Sequence, residues 1–241
     1  IYSKPMLHDL LNKISKIKGV EWIRFLYSYP ETINDELIQE VKQNDKICKY
    51  FDIPMQHISN KILKRMNRKT TKESTMNLIT KLRKEIPGVI IRSTLMVGFP
   101  GETEEDFNEL YEFVKWAKFD KLGCFTYSKE DNTPAEKMDM QVHPSTKKFR
   151  YNKIMSLQQQ ISKENLKRFI GKEFKALLED AYINDEKELY YVARTYMDVP
   201  EIDGYIYVKA NKEDTEKVML NTFAKCKVID VKEYDLVAKF I

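Results

Sequence analysis

The chain has 241 residues, 42% hydrophobic and 12% aromatic, enough for one large domain or for a medium and a small one with real cores. Charged residues make up 32% at a net charge of +4, and no apolar run approaches the roughly 20 residues of a membrane span, so the chain reads as soluble. Cys48, Cys124 and Cys226 lie too far apart for a disulfide framework or a close-spaced metal motif, so each is expected to pack as a small hydrophobe in a reducing cytoplasm. The chain opens on Ile1 without a Met, which points to an upstream segment.

Strand and helix signals alternate over the first 171 residues. Residues 20–27 (VEWIRFLY) are aromatic and β-branched and stop before Pro30, as a strand does. Leu37, Ile38 and Val41 recur at helical spacing, residues 50–56 (YFDIPMQ) read as the next strand, and Ile62, Leu63 and Met66 mark a basic helix. A further helix carries Leu78, Ile79, Leu82 and Ile86 and stops at Pro87-Gly88. Residues 89–97 (VIIRSTLMV) are nearly all apolar, as in a strand covered on both faces. Phe107, Leu110, Tyr111 and Val114 then lie on a helix whose start, Thr103 with Asp106, has capping spacing and an acid-rich first turn. Residues 122–128 (LGCFTYS) form a fourth strand, and a long basic helix over residues 145–169 follows. Such units predict a parallel α/β sheet with right-handed crossovers; four strands rather than eight make it an open or truncated (β/α) barrel.

Past Gly171 the pattern changes to five short strands, near residues 174–178, 189–195, 204–208, 222–228 and 236–241, without helices between them. They predict a small antiparallel β-barrel of the OB-like kind, so the domains are 1–171 and 172–241. The second carries 11 Lys and Arg against 15 Asp and Glu, a net of −4, which leaves +8 on the first.

Loops at strand ends are where a parallel α/β fold keeps its site. Gln56 leaves one strand end and Arg68 follows 12 residues later, an arrangement suited to ribose hydroxyls and a carboxylate. On spacing alone, a strand running into a basic surface helix explains it as well. Gly98 and Gly101, in Gly98-Phe99-Pro100-Gly101, permit backbone approach to a flat ligand at a helix N-terminus, or simply make a well-capped βα turn.

Taken in order, these segments resemble the radical S-adenosylmethionine (SAM) methylthiotransferases. YFDIPMQHISNKILKRMNR is similar to that family's fourth-strand signature, RSTLMVGFPGETEEDF to its fifth strand and adenine-contact loop, and FTYSKEDNTPA to its sixth. Relatives carry Gly-Thr-Pro-Ala in the last of these, and Asn132 replaces that glycine here, a change a left-handed turn tolerates. The C-terminal barrel is similar to a TRAM domain. The resemblance implies that Gln56 faces the SAM ribose and Arg68 its carboxylate. It also implies that Met96, Gly98, Phe99, Pro100 and Gly101 border the adenine, with Tyr127 near the same ligand. Arg92, Glu102 and His57 are weaker candidates; Glu102 orients loops or caps a helix. The family's Cys-x-x-x-Cys-x-x-Cys motif is absent, so this chain holds no catalytic or metal residue of its own. Two [4Fe-4S] clusters are expected outside it, and the chain alone is expected to be inactive.

Two branches of the family differ in substrate: one modifies a tRNA adenosine, the other an aspartate β-carbon on a small-ribosomal-subunit protein. Residues 194–204 (RTYMDVPEIDG) resemble the barrel hairpin of the protein-modifying branch. The acidic barrel also suits a basic protein better than phosphates, so Asp198, Glu201 and Asp203 are expected to dock a ribosomal protein. On that reading tRNA is the less favoured partner, and the reductant and sulfur donor are not identified. A non-catalytic ribosome- or RNA-binding module is the alternative from another class.

Overall fold

A computed structural model describes residues 5–215 and 217–241, divided into one compact unit through residue 158 and a second from residue 159. The first unit runs α1 (Leu7–Ser15), α2 (Asp35–Gln43), β1 (Tyr50–Gln56), α3 (Asn60–Arg65), α4 (Lys72–Glu85), β2 (Ile90–Val97), α5 (Glu104–Ala117) and β3 (Lys121–Thr126), and the helix α6 (Pro144–Lys167) begins within it. The three strands pair in parallel in the order β1-β2-β3. Along β2, Ile91, Ser93, Leu95 and Val97 are buried while Arg92, Thr94 and Met96 on the other face are half-buried. One face of the sheet is thus covered and the other partly open.

The strand expected over residues 20–27 does not form, which corrects the count of four to three. Ile23 alone makes a parallel bridge, to Ile47. Tyr27 then turns left-handed (φ 59°) and takes the backbone out of register. Side chains hold this segment beside β1 instead. Phe25 packs edge-on to Phe51 at 5.4 Å, the Arg24 guanidinium lies 5.1 Å from the Tyr50 ring centre, and Tyr27 N–H donates to Asp52 Oδ2 at 3.2 Å. The aromatic and β-branched pattern therefore misreported the pairing, and of its residues only Ile23 is buried while Leu26 and Tyr27 are exposed.

The second unit is a closed barrel in the order β4-β5-β6-β8-β7, built from β4 (Glu173–Ile183), β5 (Leu189–Arg194), β6 (Ile206–Ala210), β7 (Phe223–Val231) and β8 (Leu236–Phe240). All five expected strands are present. Four pairings are antiparallel, and β6 with β8 is parallel. Small and branched side chains fill the interior, among them Ala176, Leu178, Ala193, Ile206, Val208 and Ala238, as a barrel too narrow for a lumen requires.

Helix starts follow the sequence signals. Thr71 and Ser74 form a capping box on α4, and Thr103 and Asp106 form one on α5. Asp106 does more than cap. Its Oδ1 accepts from Ser59 Oγ at 2.7 Å, its Oδ2 from Thr103 N at 2.9 Å, and Lys61 Nζ pairs with the same Oδ2. Burial pushes this carboxyl up, but the bonds from Lys61, Thr103 and Ser59 outweigh burial and hold it well below the usual carboxylate range. A depressed folded-state pKa contributes stability above the unfolded value of about 4, and that contribution fades as pH falls below it. Asp106→Asn is expected to destabilise the protein by about 1–2 kcal/mol at neutral pH. Urea unfolding at a series of pH values should show the gap to the unsubstituted protein narrowing below about pH 4; a gap independent of pH would contradict this assignment.

Candidate functional site

At the C-terminal ends of β1 and β2 lies a cavity of about 410 Å³, within the range of small-molecule sites. Its polar groups come from the end of β1, from α3 and the residues just past it, and from Thr133. Gln56 ends β1 after a break in pairing register, at φ 68°, and its half-buried side chain lines the cavity. A non-glycine residue in this region costs on the order of 1–2 kcal/mol, a strain that in folded proteins gathers at functional positions. Arg68 is set by the way α3 ends. Asn67 adopts the left-handed conformation (φ 56°), Asn67 N–H donates to Lys64 O at 3.1 Å and Arg68 N–H donates to Leu63 O at 2.8 Å. This pair of bonds is a Schellman closure, which turns the chain sharply at the residue before Arg68. The Arg68 guanidinium then lies 5.5 Å from the ring centre of Tyr29.

The apolar lining comes from β2 and from the segment after β3. Met96, Phe99 and Met66 supply one side, and Pro134, Ala135 and Met138 another. The second side is a short 3-10 turn (Pro134–Lys137) with its own cap: Glu136 N–H donates to Thr133 Oγ1 at 3.2 Å, and Asn132 N–H donates back to Glu136 Oε2 at 2.9 Å. Asn132 is left-handed (φ 64°), so the residue standing where relatives carry glycine does adopt the conformation that favours one.

Behind the lining sits a buried carboxylate. Glu102 Oε2 accepts from Gly98 N at 2.8 Å and lies 3.4 Å from His57 Nε2, while Oε1 accepts from Arg150 Nη1 at 2.7 Å. His57 Nδ1 accepts from Ser59 N at 3.0 Å, which leaves Nε2 facing the carboxylate without a hydrogen bond to it. Glu102 does not cap α5, because Thr103 does.

Of the residues expected from sequence, the cavity brings together Gln56, Arg68, Met96 and Phe99. Gly98, Pro100 and Gly101 are buried and do not line it. Tyr127 falls just past β3 and packs edge-on to Phe99 at 5.2 Å, behind the lining, and its buried hydroxyl has no partner among the described residues. Arg92 pairs with Asp52 at 2.9 Å and also stands outside the cavity. The glycines have a reason other than a ligand's approach. A Cβ at Gly98 (φ 74°) would meet Lys147 Cγ at 2.3 Å, and one at Gly101 (φ 85°) would meet Arg65 Nε at 2.7 Å. Arg65 in turn donates to Pro100 O at 2.8 Å and lines the cavity, a role its place among the basic residues of α3 did not distinguish. Arg150 carried no sequence signal either, because its partner lies 48 positions away.

The hairpin acids are placed differently from one another. Asp198 is buried and its Oδ2 accepts from Thr195 N and Oγ1 at 3.1 and 2.8 Å. Asp203 Oδ2 accepts from Val199 N at 2.9 Å. Glu201, left-handed at φ 63°, is exposed beside exposed Ile202. Two of the three acids therefore shape the loop, and one projects from it.

The cysteines are buried and unbridged. Burial, with a smaller push from Glu102, raises the Cys124 thiol to about 12, and burial raises Cys226 to about 12 against a bond to Phe174 O. Both are poor thiolates. Among the described residues, no cluster of three His, Cys, Asp or Glu side chains is placed to hold a metal ion.

Gly98→Ala is expected to destabilise the protein by about 1–3 kcal/mol, part from the left-handed backbone and part from the clash with Lys147. Adding Lys147→Ala should recover the clash and leave the backbone share, so the double variant stays less stable than Lys147→Ala alone. Equal urea midpoints for those two proteins would contradict this.

The radical SAM superfamily pattern matches residues 3–114, and the TRAM domain pattern matches residues 170–241. Across both parts the chain is 56% identical over 236 residues to the ribosomal protein uS12 methylthiotransferase RimO of Alkaliphilus oremlandii. It is 52% identical over 237 residues to that of Clostridium botulinum strain Hall, and 49% identical over 237 residues to that of Clostridium perfringens strain 13. Each match takes in 98% of this chain and 51–52% of the relative, so the chain spans about half the length of the curated relatives it matches. Residues 3–114 are thus similar to the radical SAM superfamily, and residues 170–241 to the TRAM domain.

Proposed function

We propose that this chain is the SAM-binding and substrate-docking part of a methylthiotransferase that modifies an aspartate β-carbon on small-subunit ribosomal protein uS12. The observation that carries this reading is the 49–56% identity, through both the sheet and the barrel, to proteins named for that activity. Domain limits of 1–171 and 172–241 suit it, since β4 starts at Glu173.

The cavity residues fit the cofactor. Met96 and Phe99 on one side, with Ala135 and Met138 on the other, offer apolar faces to a purine, and the strained Gln56 directs an amide toward the ribose hydroxyls. Arg68, held against Tyr29, takes the carboxylate as a charge-assisted pair. Bound SAM supplies hydrogen-atom abstraction on one-electron reduction. The chain's own residues hold its ribose end fixed, shield it from water with the methionine and phenylalanine lining, and orient it toward the substrate.

The described residues do not fit an iron–sulfur cluster: Cys124 and Cys226 are buried, high-pKa thiols, and no three-ligand group is present among them. We place both clusters outside this chain, which alone should lack activity. In the barrel, Glu201 beside Ile202 is the acid that meets the basic ribosomal protein, while Asp198 and Asp203 keep the loop in shape for it. The reading puts the protein in the cytoplasm, where ribosomes are; no helix among the described residues is long and apolar enough to cross a membrane.

The test is to produce the polypeptide together with the coding sequence upstream of Ile1, and to look by mass spectrometry for a methylthio group on uS12. Modification of a tRNA adenosine instead, or an upstream sequence without Cys-x-x-x-Cys-x-x-Cys, would contradict the reading. Arg68→Met should weaken SAM binding at least about tenfold by calorimetry, with Arg68→Lys recovering part of it. Glu201→Lys in the longer enzyme should lower uS12 modification severalfold at unchanged SAM affinity. Unchanged modification would remove Glu201 from docking.

A further inference from the structure

We propose that Glu102 is a positioning residue of the SAM cavity: its carboxylate fixes the end of β2 and so sets the Met96 and Phe99 side of the apolar lining before the cofactor arrives. The inference rests on the cavity reading above. The Glu102 side chain is wholly buried and Arg150 is 5% exposed. Gly98 follows the last residue of β2 in a left-handed conformation and is itself buried, and Glu102 Oε2 takes up its N–H at 2.8 Å. The residues on either side of β2's end, Met96 and Phe99, belong to the cavity's apolar lining. His57, 3.4 Å from the same oxygen, directly follows Gln56, the cavity's strained polar group. Arg150 closes the set from α6, donating to Glu102 Oε1 at 2.7 Å and Glu102 O at 3.2 Å, with Glu104 Oε2 3.3 Å away. One carboxylate thus bonds the end of β2 and α6 from behind, and it stands 3.4 Å, without a hydrogen bond, from the residue that follows β1.

A capping role would need neither the burial nor Arg150, and α5 already has its capping box from Thr103 and Asp106. General stability does not explain the pair either, because a buried ion pair is often matched or exceeded by apolar residues of the same volume. What such residues cannot replace is the acceptor for Gly98 N–H.

That difference supplies the test. Glu102→Leu with Arg150→Met removes both charges together, which avoids a lone buried ion and keeps the fold, but leaves Gly98 N–H without an acceptor. Glu102→Gln with Arg150→Met also removes both charges and keeps a carbonyl oxygen for Gly98. Titration with SAM and with S-adenosylhomocysteine should show the Leu/Met protein binding at least about tenfold more weakly and the Gln/Met protein within about threefold of the unsubstituted one. Hydrogen exchange at the Gly98 amide should speed up only in the Leu/Met protein. Unsubstituted-like binding by the Leu/Met protein, or equal loss in both, would overturn the positioning role and leave the cavity reading standing. Absence of binding by the unsubstituted protein would remove the cavity reading and this inference with it.

Discussion

A backbone amide at the end of a parallel strand has lost its ladder partner, and if it is buried something else must accept from it. At the end of β2 that need is met by Glu102, four residues further along the chain, and the carboxylate that meets it also faces His57 and Arg150. The site-bearing end of β2 and the first half of α6 are bonded to this one group, which lies 3.4 Å from the residue after β1. The cavity in front of it has polar atoms on Gln56, Arg65 and Arg68, among others, and apolar surface on Met96, Phe99 and the turn that carries Ala135. Each cavity residue is placed by a local device: a strained φ at Gln56, a Schellman closure before Arg68, a reciprocal cap below Ala135.

The barrel uses its charge differently. Its acids outnumber its bases, yet two carboxylates of the hairpin, on Asp198 and Asp203, are occupied by the loop's own amides and hydroxyl. Such bonds give a loop without regular strands a defined shape, which a docking surface needs before charge can matter. Glu201 and Ile202 at its tip combine a free acid with exposed apolar surface.

Much of this was legible in the sequence because periodicity and capping are local. The helices over Leu37–Val41 and Phe107–Val114, the Thr103 cap and all five barrel strands follow from patterns a few residues long. The segment at residues 20–27 misled because its aromatic and β-branched residues pack by single side-chain contacts such as Phe25 on Phe51, with only Ile23 buried and bridged, and not by a strand ladder. The site was half legible. Gln56 and Arg68 stood out by their place at strand and helix ends. Gly98 and Gly101 were assigned to a ligand's approach although Lys147 and Arg65 of the same chain occupy the space a Cβ would need. Arg150 and Lys147 lie more than 40 residues from the groups they serve, Glu102 and Gly98, and no local pattern joins them.

The central claim, that the cavity at the ends of β1 and β2 takes SAM, is tested most directly by methyl spectra of methionine-labelled protein during titration with the cofactor. Met66, Met96 and Met138 line or border the cavity, and Met197 and Met219 lie in the other unit. Saturable shifts confined to the first three, with one common affinity, are the expected result. Shifts spread equally over all ten methionines, those of the other unit included, or none at saturating cofactor, would contradict it.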